Sequence, residues 1–373
     1  MSTVFVAGAL ANKPGSGGEA WVRMSWVRGF EQLGLDVRFV EEWTSDALDS
    51  AATRWFDDVV TAFGLGGRAS LLHREEAVRG PELRELIEAA ADATLVNISG
   101  HLQLPALMGA FRRRAMVDID PGFTQFWHAQ GLAGANVAGH DLYFTIGELI
   151  GKPTCPIPTS DIDWLPARQP VVLSDWPMID ATELDRFTTI ANWRGPFGPV
   201  EYDGRTYGLK VHEFRKFIDL PSRSEQVFEI ALDIHRADSA DRDALEDAGW
   251  RLVDPQAVAR RPEAFREYVQ RSGAEFSVAQ GVYVDTRCGW FSDRTIRYLA
   301  AGKPALVQDT GFTETMRTGE GLVAFNTLEE AVAGAESISA RYEEHCEAAH
   351  SLAEEEFAAE RVLARFCEQA GIS

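Results

Sequence analysis

The stretch CGWFSDRTIRYLAAGKPALVQDTGF, residues 288–312, decides the fold. A short loop carries Gly289, Trp290 and Phe291 into Ser292 and Asp293, two residues that start helices. A serine oxygen accepts a free first-turn amide, and an acid there meets the positive end of the helix dipole. The spacing predicts a helix over Ser292–Ala301 that stops at Gly302. Ala305–Gln308 then reads as a strand.

The same alternation runs outward in both directions. Upstream, Phe187–Asn192, Val227–Leu232, Trp250–Val253, Phe276–Ala279 and Tyr283–Asp285 read as strands. Helices are predicted at Lys210–Ile218, at Ala240–Ala248, and from Asp254-Pro255 to Arg271. Downstream come a strand at Gly321–Phe325 and an acidic helical tail over Thr327–Gln369. Further back, six prolines between 152 and 180 (Pro153, Pro156, Pro158, Pro166, Pro170 and Pro177) break the rhythm and read as an extended crossing. Before it lies a second βαβ series. Its strands are Val4–Leu10, Asp36–Val40, Thr94–Ile98, Met116–Ile119 and Leu142–Ile146, with helices from Gly18 and over Pro81–Ala91.

The expected fold class is therefore α/β, with two tandem Rossmann-like, doubly wound domains and a helical C-terminal tail. The first domain is expected over 1–180, including the Pro-rich crossing, and the second over 181–350. The helix at 351–373 is expected to pack back on the first. Ligands of such sheets bind outside the carboxyl ends of the strands.

Composition narrows the function. The 373 residues are 45% hydrophobic and 25% charged, with a net charge of −21 and a pI near 4.8. So acidic a surface repels phosphate backbones and argues against nucleic-acid binding. The four cysteines form no CxxC pair or zinc spacing, which points to buried thiols in a reducing compartment. There is no run of 18 apolar residues, and the apolar N-terminus lacks a basic lead. A cytoplasmic location is expected.

With these elements in place, residues 275–335 resemble the nucleotide-binding half of GT-B glycosyltransferases, in particular the group-1, family-4-like set. The resemblance extends more loosely to 187–335. It implies transfer of a sugar from a nucleoside diphosphate sugar to a small-molecule or glycan acceptor, with no metal or other cofactor. It also implies that the loop and helix entry at Trp290, Ser292, Asp293 and Arg294, and the turn at Gly311, Phe312 and Thr313, hold the donor. Many retaining members carry two glutamates eight positions apart in this region. Here those positions are Gly289 and Arg297, so the resemblance assigns no stereochemical outcome. A non-catalytic binding protein and a sugar-nucleotide epimerase are the alternatives. The preference for Arg over Lys and the Ala-rich composition suggest a GC-rich bacterial genome, where such enzymes decorate natural products or envelope glycans.

Other candidates follow from residue type and place. Lysine occurs only at Lys13, Lys152, Lys210, Lys216 and Lys303. Lys210, opening a helix, and Arg194, following a strand, are suited to clamp a diphosphate, with Glu213 in the same helix; the resemblance implies that such a basic pair stabilises the diphosphate as it leaves. Gly17 and Gly18 allow backbone amides to approach a phosphate or sugar. Asp120 and His101 follow strands of the first domain, where a carboxylate or imidazole would take the acceptor proton. His128, His140 and the pair Asp161 and Asp163 are weaker candidates, and no metal site is expected. The sequence does not define the oligomeric state.

Overall fold

A computed structural model describes residues 2–179, 183–195 and 197–372. The chain divides into two compact units. Unit 1 comprises Met1–Gly147, Pro158–Val172 and Ala358–Ser373; unit 2 comprises Glu148–Ile157 and Leu173–Phe357. The Pro-rich stretch is shared between them, and the expected boundary at 180/181 lies outside the described residues.

Unit 1 is built on strands β1 (Thr3–Ala7), β2 (Asp36–Trp43), β3 (Ala69–His73), β4 (Glu76–Arg79), β5 (Thr94–Ile98), β6 (Arg113–Asp118), β7 (Leu142–Thr145) and β8 (Trp164–Pro166). They form one sheet in the order β4-β3-β2-β1-β5-β6-β7-β8, parallel except for the β3–β4 pair. Alternation in β1 sends Val4 and Val6 to one face and Phe5 and Ala7 to the other, each into its own apolar cluster. The first cluster includes Trp26 and Phe30 of the helix Gly17–Gln32 and Leu363 and Phe366 of the C-terminal helix Ala359–Ala370. Trp26 and Phe366 meet edge to face at 5.2 Å between ring centres.

Close approach of these two helices depends on Gly29. A Cβ there would stand 2.5 Å from Leu363 Cδ1 and 2.9 Å from Ala359 Cβ. Gly29→Ala gains about 1 kcal/mol of helix propensity but overpacks the seam, at a cost of about 1–3 kcal/mol. The variant is expected to unfold at lower urea than the parent; an unchanged or higher midpoint would refute this account of the seam.

Unit 2 contains β9 (Phe187–Asn192), the hairpin β10 (Val200–Tyr202) and β11 (Arg205–Tyr207), then β12 (Phe228–Asp233), β13 (Arg251–Val253), β14 (Ala274–Ser277), β15 (Ala305–Gln308) and β16 (Leu322–Phe325). Its parallel sheet runs β13-β12-β9-β14-β15-β16. Register sets Phe187 beside Phe228, and their rings stack at 5.1 Å. Phe276 and Phe325 stack at 5.2 Å, within the same aromatic core.

Both units are thus Rossmann-like, and each strand order reverses once: beside β1 and β5 in unit 1, and beside β9 and β14 in unit 2. Residues at the carboxyl ends of these strands occupy the places where such sheets take ligands.

The structure corrects three readings. Tyr283–Asp285 is not a strand but part of a helix, Gly281–Thr286. Its β-branched residues favour a strand, but packing overrides them. A Cβ on Gly281 would come within 2.8 Å of the Gly208 backbone, and the Tyr283 ring stacks on Trp290. The helix expected to run to Arg271 is two, Pro255–Val258 and Pro262–Gln270, because Pro262 cannot continue the first. The tail is helical as expected, as Leu328–Ala340, Tyr342–Glu356 and Ala359–Ala370, but the helix expected at 351–373 is divided, its start belonging to Tyr342–Glu356 and its remainder to Ala359–Ala370.

Candidate functional site

In unit 1, the loop leaving β1 is organised from beneath by Glu41 of β2, which is almost fully buried. One carboxylate oxygen accepts the amides of Leu10 and Ala11, each at 2.8 Å. The other accepts the main-chain and side-chain amides of Asn12, also at 2.8 Å. The donors that would cradle a phosphate at this turn therefore already hold a carboxylate of the chain. Gly17 and Gly18 open the next helix, where Ser16 makes no side-chain capping bond.

Around that helix entry the structure gathers a set of charged groups. Arg23 lies one turn beyond Glu19 and pairs with its carboxylate. The Arg23 side chain is 1% exposed and passes over Gly8, where a Cβ would stand 2.7 Å from Arg23 Cγ. Burial pushes the Glu19 carboxyl up, but Arg23 and Lys13 more than offset it and hold it at about 2. His101 follows β5, after Ser99 and Gly100, both with positive φ. Its Nδ1 is buried with no partner among the described residues. Burial, Arg23 and Lys13 lower its ring to about 3 against the pull of Glu19, so the imidazole is neutral near pH 7. Asp120 follows β6. Burial, then Glu19 and Asp118, raise it to about 7 against Lys13 and Arg23. Glu19, Arg23 and Lys13 thus act on both catalytic candidates of the first domain; of the three, Arg23 is not singled out by residue type and place.

In unit 2, the turn after β9 is tied by Asn192 Oδ1, which accepts the amides of Arg194 (3.2 Å) and Gly195 (2.9 Å). Gln280, just beyond β14, accepts the Lys210 amide at 2.8 Å, and its Nε2 would lie 2.4 Å from a Cβ on Gly195. Gln280 therefore ties the start of the helix Lys210–Phe214 and packs closely against Gly195 of the Arg194 turn. The Lys210 side chain is half-buried, and among the described residues no carboxylate stands within ion-pair distance of its ammonium. Burial and the neighbouring Arg294 charge lower Lys210 to about 7, against Glu275 and Asp293.

Several expected contacts point elsewhere. Arg194 does not join Lys210; its guanidinium forms a two-pronged pair with Asp238, one arm at 2.9 Å. Arg294 turns into the sheet: Nε donates to Glu275 (2.6 Å), one terminal nitrogen to the Ile190 carbonyl (2.7 Å) and the other to Ser277 Oγ (2.9 Å). Its guanidinium is engaged by these three partners, and its charge acts on Lys210. Glu213 accepts Lys216 at 2.7 Å and Gln308 at 2.8 Å and is buried. Ser292 accepts the Arg294 amide, and Asp293 accepts Arg297. The Gly311 amide and the Thr313 hydroxyl both donate to Asp309, at 2.9 and 3.1 Å, while Phe312 is buried against Phe291. These side chains all have partners within the chain that build the loops. Trp290 remains half-buried, stacked on Tyr283 at 4.4 Å. Of the two positions that carry glutamate in many retaining relatives, Gly289 holds φ +79° and Arg297 is buried over the Trp176 ring.

Among the described residues no group of three or more His, Cys, Asp or Glu is arranged to hold a metal, and no helix is long and apolar enough to cross a membrane. The four cysteines are buried and none forms a disulfide.

No protein-family description matches the chain, and no curated protein matches it. Solved structures do. An α-glucosyltransferase (AGT) in complex with UDP covers all of this chain and of its own at TM-score 0.62 and 11% identity. Anabaena Alr3699/HepE in complex with UDP-glucose does so at TM-score 0.62 and 10% identity. Sucrose-phosphate synthase from Thermosynechococcus elongatus covers 99% of this chain and 98% of its own at TM-score 0.55 and 8% identity. At such identities the likeness is one of fold, and the fold is that of the GT-B glycosyltransferases.

Proposed function

We propose that this protein transfers a sugar from a nucleoside diphosphate sugar, with unit 2 holding the nucleotide. The observation that carries the reading is Lys210: a cation beside the strand-order reversal, fixed through its amide by Gln280, with no carboxylate partner among the described residues. An ammonium left in that state is suited to an anionic ligand, and the solved neighbours of this fold include UDP and UDP-glucose complexes. Lys210 stabilises negative charge as the diphosphate departs. Asp120 takes the proton of the acceptor hydroxyl. The hydroxyl oxygen bonds to the anomeric carbon, and the bond from that carbon to the phosphate oxygen breaks, its electron pair leaving with the diphosphate. Trp290 offers a face for the base. The acceptor is a small molecule or glycan bearing a free hydroxyl.

The test is thermal stabilisation by UDP, GDP, TDP, CDP and ADP. A ligand that binds only the folded state raises the melting temperature with its affinity, and a shift of several degrees is expected with one diphosphate, UDP first. If none of the five shifts the transition, the nucleotide site is refuted. A second reading, binding without turnover, is favoured by Gly289 and Arg297 in place of the two glutamates. It predicts the same nucleotide shift but no release of sugar from the matching nucleotide sugar.

A further inference from the structure

We infer that Glu213 and Gln308, with Gln280, are positioning residues for Lys210: they clamp the short helix that carries it to the carboxyl ends of β14 and β15. Glu213 then serves the nucleotide site through Lys210 and not by its own contact with a ligand. The inference rests on the transfer reading for what the ammonium meets.

The need for a clamp follows from length. The helix Lys210–Phe214 has five residues, whereas an isolated helix needs about 12–15 to be even marginal in water. Its place is therefore set by tertiary bonds. Two buried glutamines supply them. Gln280, just beyond β14, accepts the Lys210 amide at 2.8 Å and so holds the first residue of the helix. Gln308 ends β15. Its Nε2 donates to Glu213 at 2.8 Å, and its Oε1 accepts the Ala279 amide at 3.1 Å. One side chain thus joins the fourth residue of the helix to the residue beside Gln280. Glu213 is 4% exposed and is engaged a second time by Lys216, at 2.7 Å.

The turn that enters the helix meets the same neighbours. The Gly208 carbonyl accepts the Val282 amide at 3.2 Å, and a Cβ on Gly281 would stand 2.8 Å from the Gly208 carbonyl carbon. His212 Nδ1 accepts the Leu209 amide at 3.1 Å. The backbone is thereby tied at 208, 209, 210 and 213, on both sides of the residue that carries the ammonium. Buried amide and carboxylate groups so fully bonded fix one arrangement of the groups they join.

Three substitutions separate the bonds from the charge. Gln308→Met and Glu213→Met each break the link at similar side-chain length. Glu213→Gln removes the charge but keeps an oxygen for Gln308 Nε2. The charged groups that act on Lys210, namely Arg294, Glu275 and Asp293, lie on other elements and stay in place. The experiment is a pH titration of the full chain labelled with 13C at the lysine Cε, where the Lys210 resonance is the one absent in Lys210→Met. In the parent it titrates at about 7. In Gln308→Met and Glu213→Met the helix loosens and the ammonium reaches water, so the midpoint is expected to rise by about one pH unit or more towards the exposed value. In Glu213→Gln it stays at the parental value. UDP affinity, read by titration calorimetry, is expected to fall about 3- to 10-fold in Gln308→Met, the range for one neutral hydrogen bond. The same substitution should change nothing further in the Lys210→Met background, because a positioning residue acts only through the group it positions. Urea unfolding shows which variants are folded, and Gln280→Met, which removes the bond to the Lys210 amide itself, takes the place of any that is not. A Lys210 midpoint unmoved by Gln308→Met and Glu213→Met, or an equal loss of UDP affinity in both backgrounds, overturns the inference. The lysine titration needs no nucleotide, so its failure is distinct from the absence of a nucleotide shift.

Discussion

Lys210→Met is expected to lower turnover by about 10²–10³-fold, the usual loss when a group stabilising transition-state charge is removed. Methionine keeps most of the stem and removes only the charge. Loss of one charge-assisted hydrogen bond, about 1.5–3 kcal/mol, corresponds to a nucleoside diphosphate affinity weaker by about 10- to 150-fold. Stability should not fall with it. The folded Lys210 value, about 7, lies far below that of an exposed lysine, so the unfolded chain binds the extra proton across the interval. That penalty is present in full below pH 7 and disappears as pH rises towards the unfolded value, so the parent gains stability over this window. The methionine variant, lacking the group, should be at least as stable as the parent near pH 7 and should lose that slope. Diphosphate binding runs the other way. It needs the ammonium, so parent affinity falls as pH climbs above 7, whereas the variant's stays weak and flat. Titration calorimetry between pH 6 and 9, with urea unfolding alongside, reads all of this. An affinity unchanged by the substitution would remove Lys210 from the site. Arg194→Met should cost less, because Asp238 already holds that guanidinium.

Much of the fold is legible in residues 288–312 and their surroundings, because buried parallel strands and capped helices are local patterns. Thr94–Ile98, Phe187–Asn192 and Ala305–Gln308 fall where periodicity puts them. Tyr283–Asp285 does not, since its helix is packed against Gly208, distant in sequence, and its Tyr283 ring stacks on Trp290. The site is less legible for the same reason. Residue type marks Lys210 and Asp120, but whether a cation is available depends on its partners. Arg194 and Arg294 look as suitable as Lys210 until Asp238, Glu275, Ile190 and Ser277 are seen to claim them. Glu19 and Arg23 carried a signal in their i,i+4 spacing, but that spacing is common on solvated helix faces. Only the burial of Arg23 beneath Gly8 separates the two cases, and it requires the folded chain.

Glu41→Ala tests the framework on which Lys13 is mounted and is expected to have the largest effect on stability. The alanine removes the acceptor for three main-chain amides, of which Leu10 and Ala11 belong to fully buried residues. Each buried donor left without a partner costs about 1–3 kcal/mol. Water entering the vacated space recovers some of this, so a net loss of about 3–5 kcal/mol is expected, a large part of the stability of an ordinary domain. Glu41→Gln separates hydrogen bonding from volume. Its single carbonyl oxygen can serve either the Leu10 and Ala11 pair or the Asn12 pair, while its amide turns donors towards the other. About half the loss is expected, at nearly unchanged side-chain volume. Urea unfolding of the two variants beside the parent checks both expectations. If Glu41→Ala unfolds at the parental urea concentration, the amides of residues 10–12 have another acceptor, and Glu41 does not organise the loop.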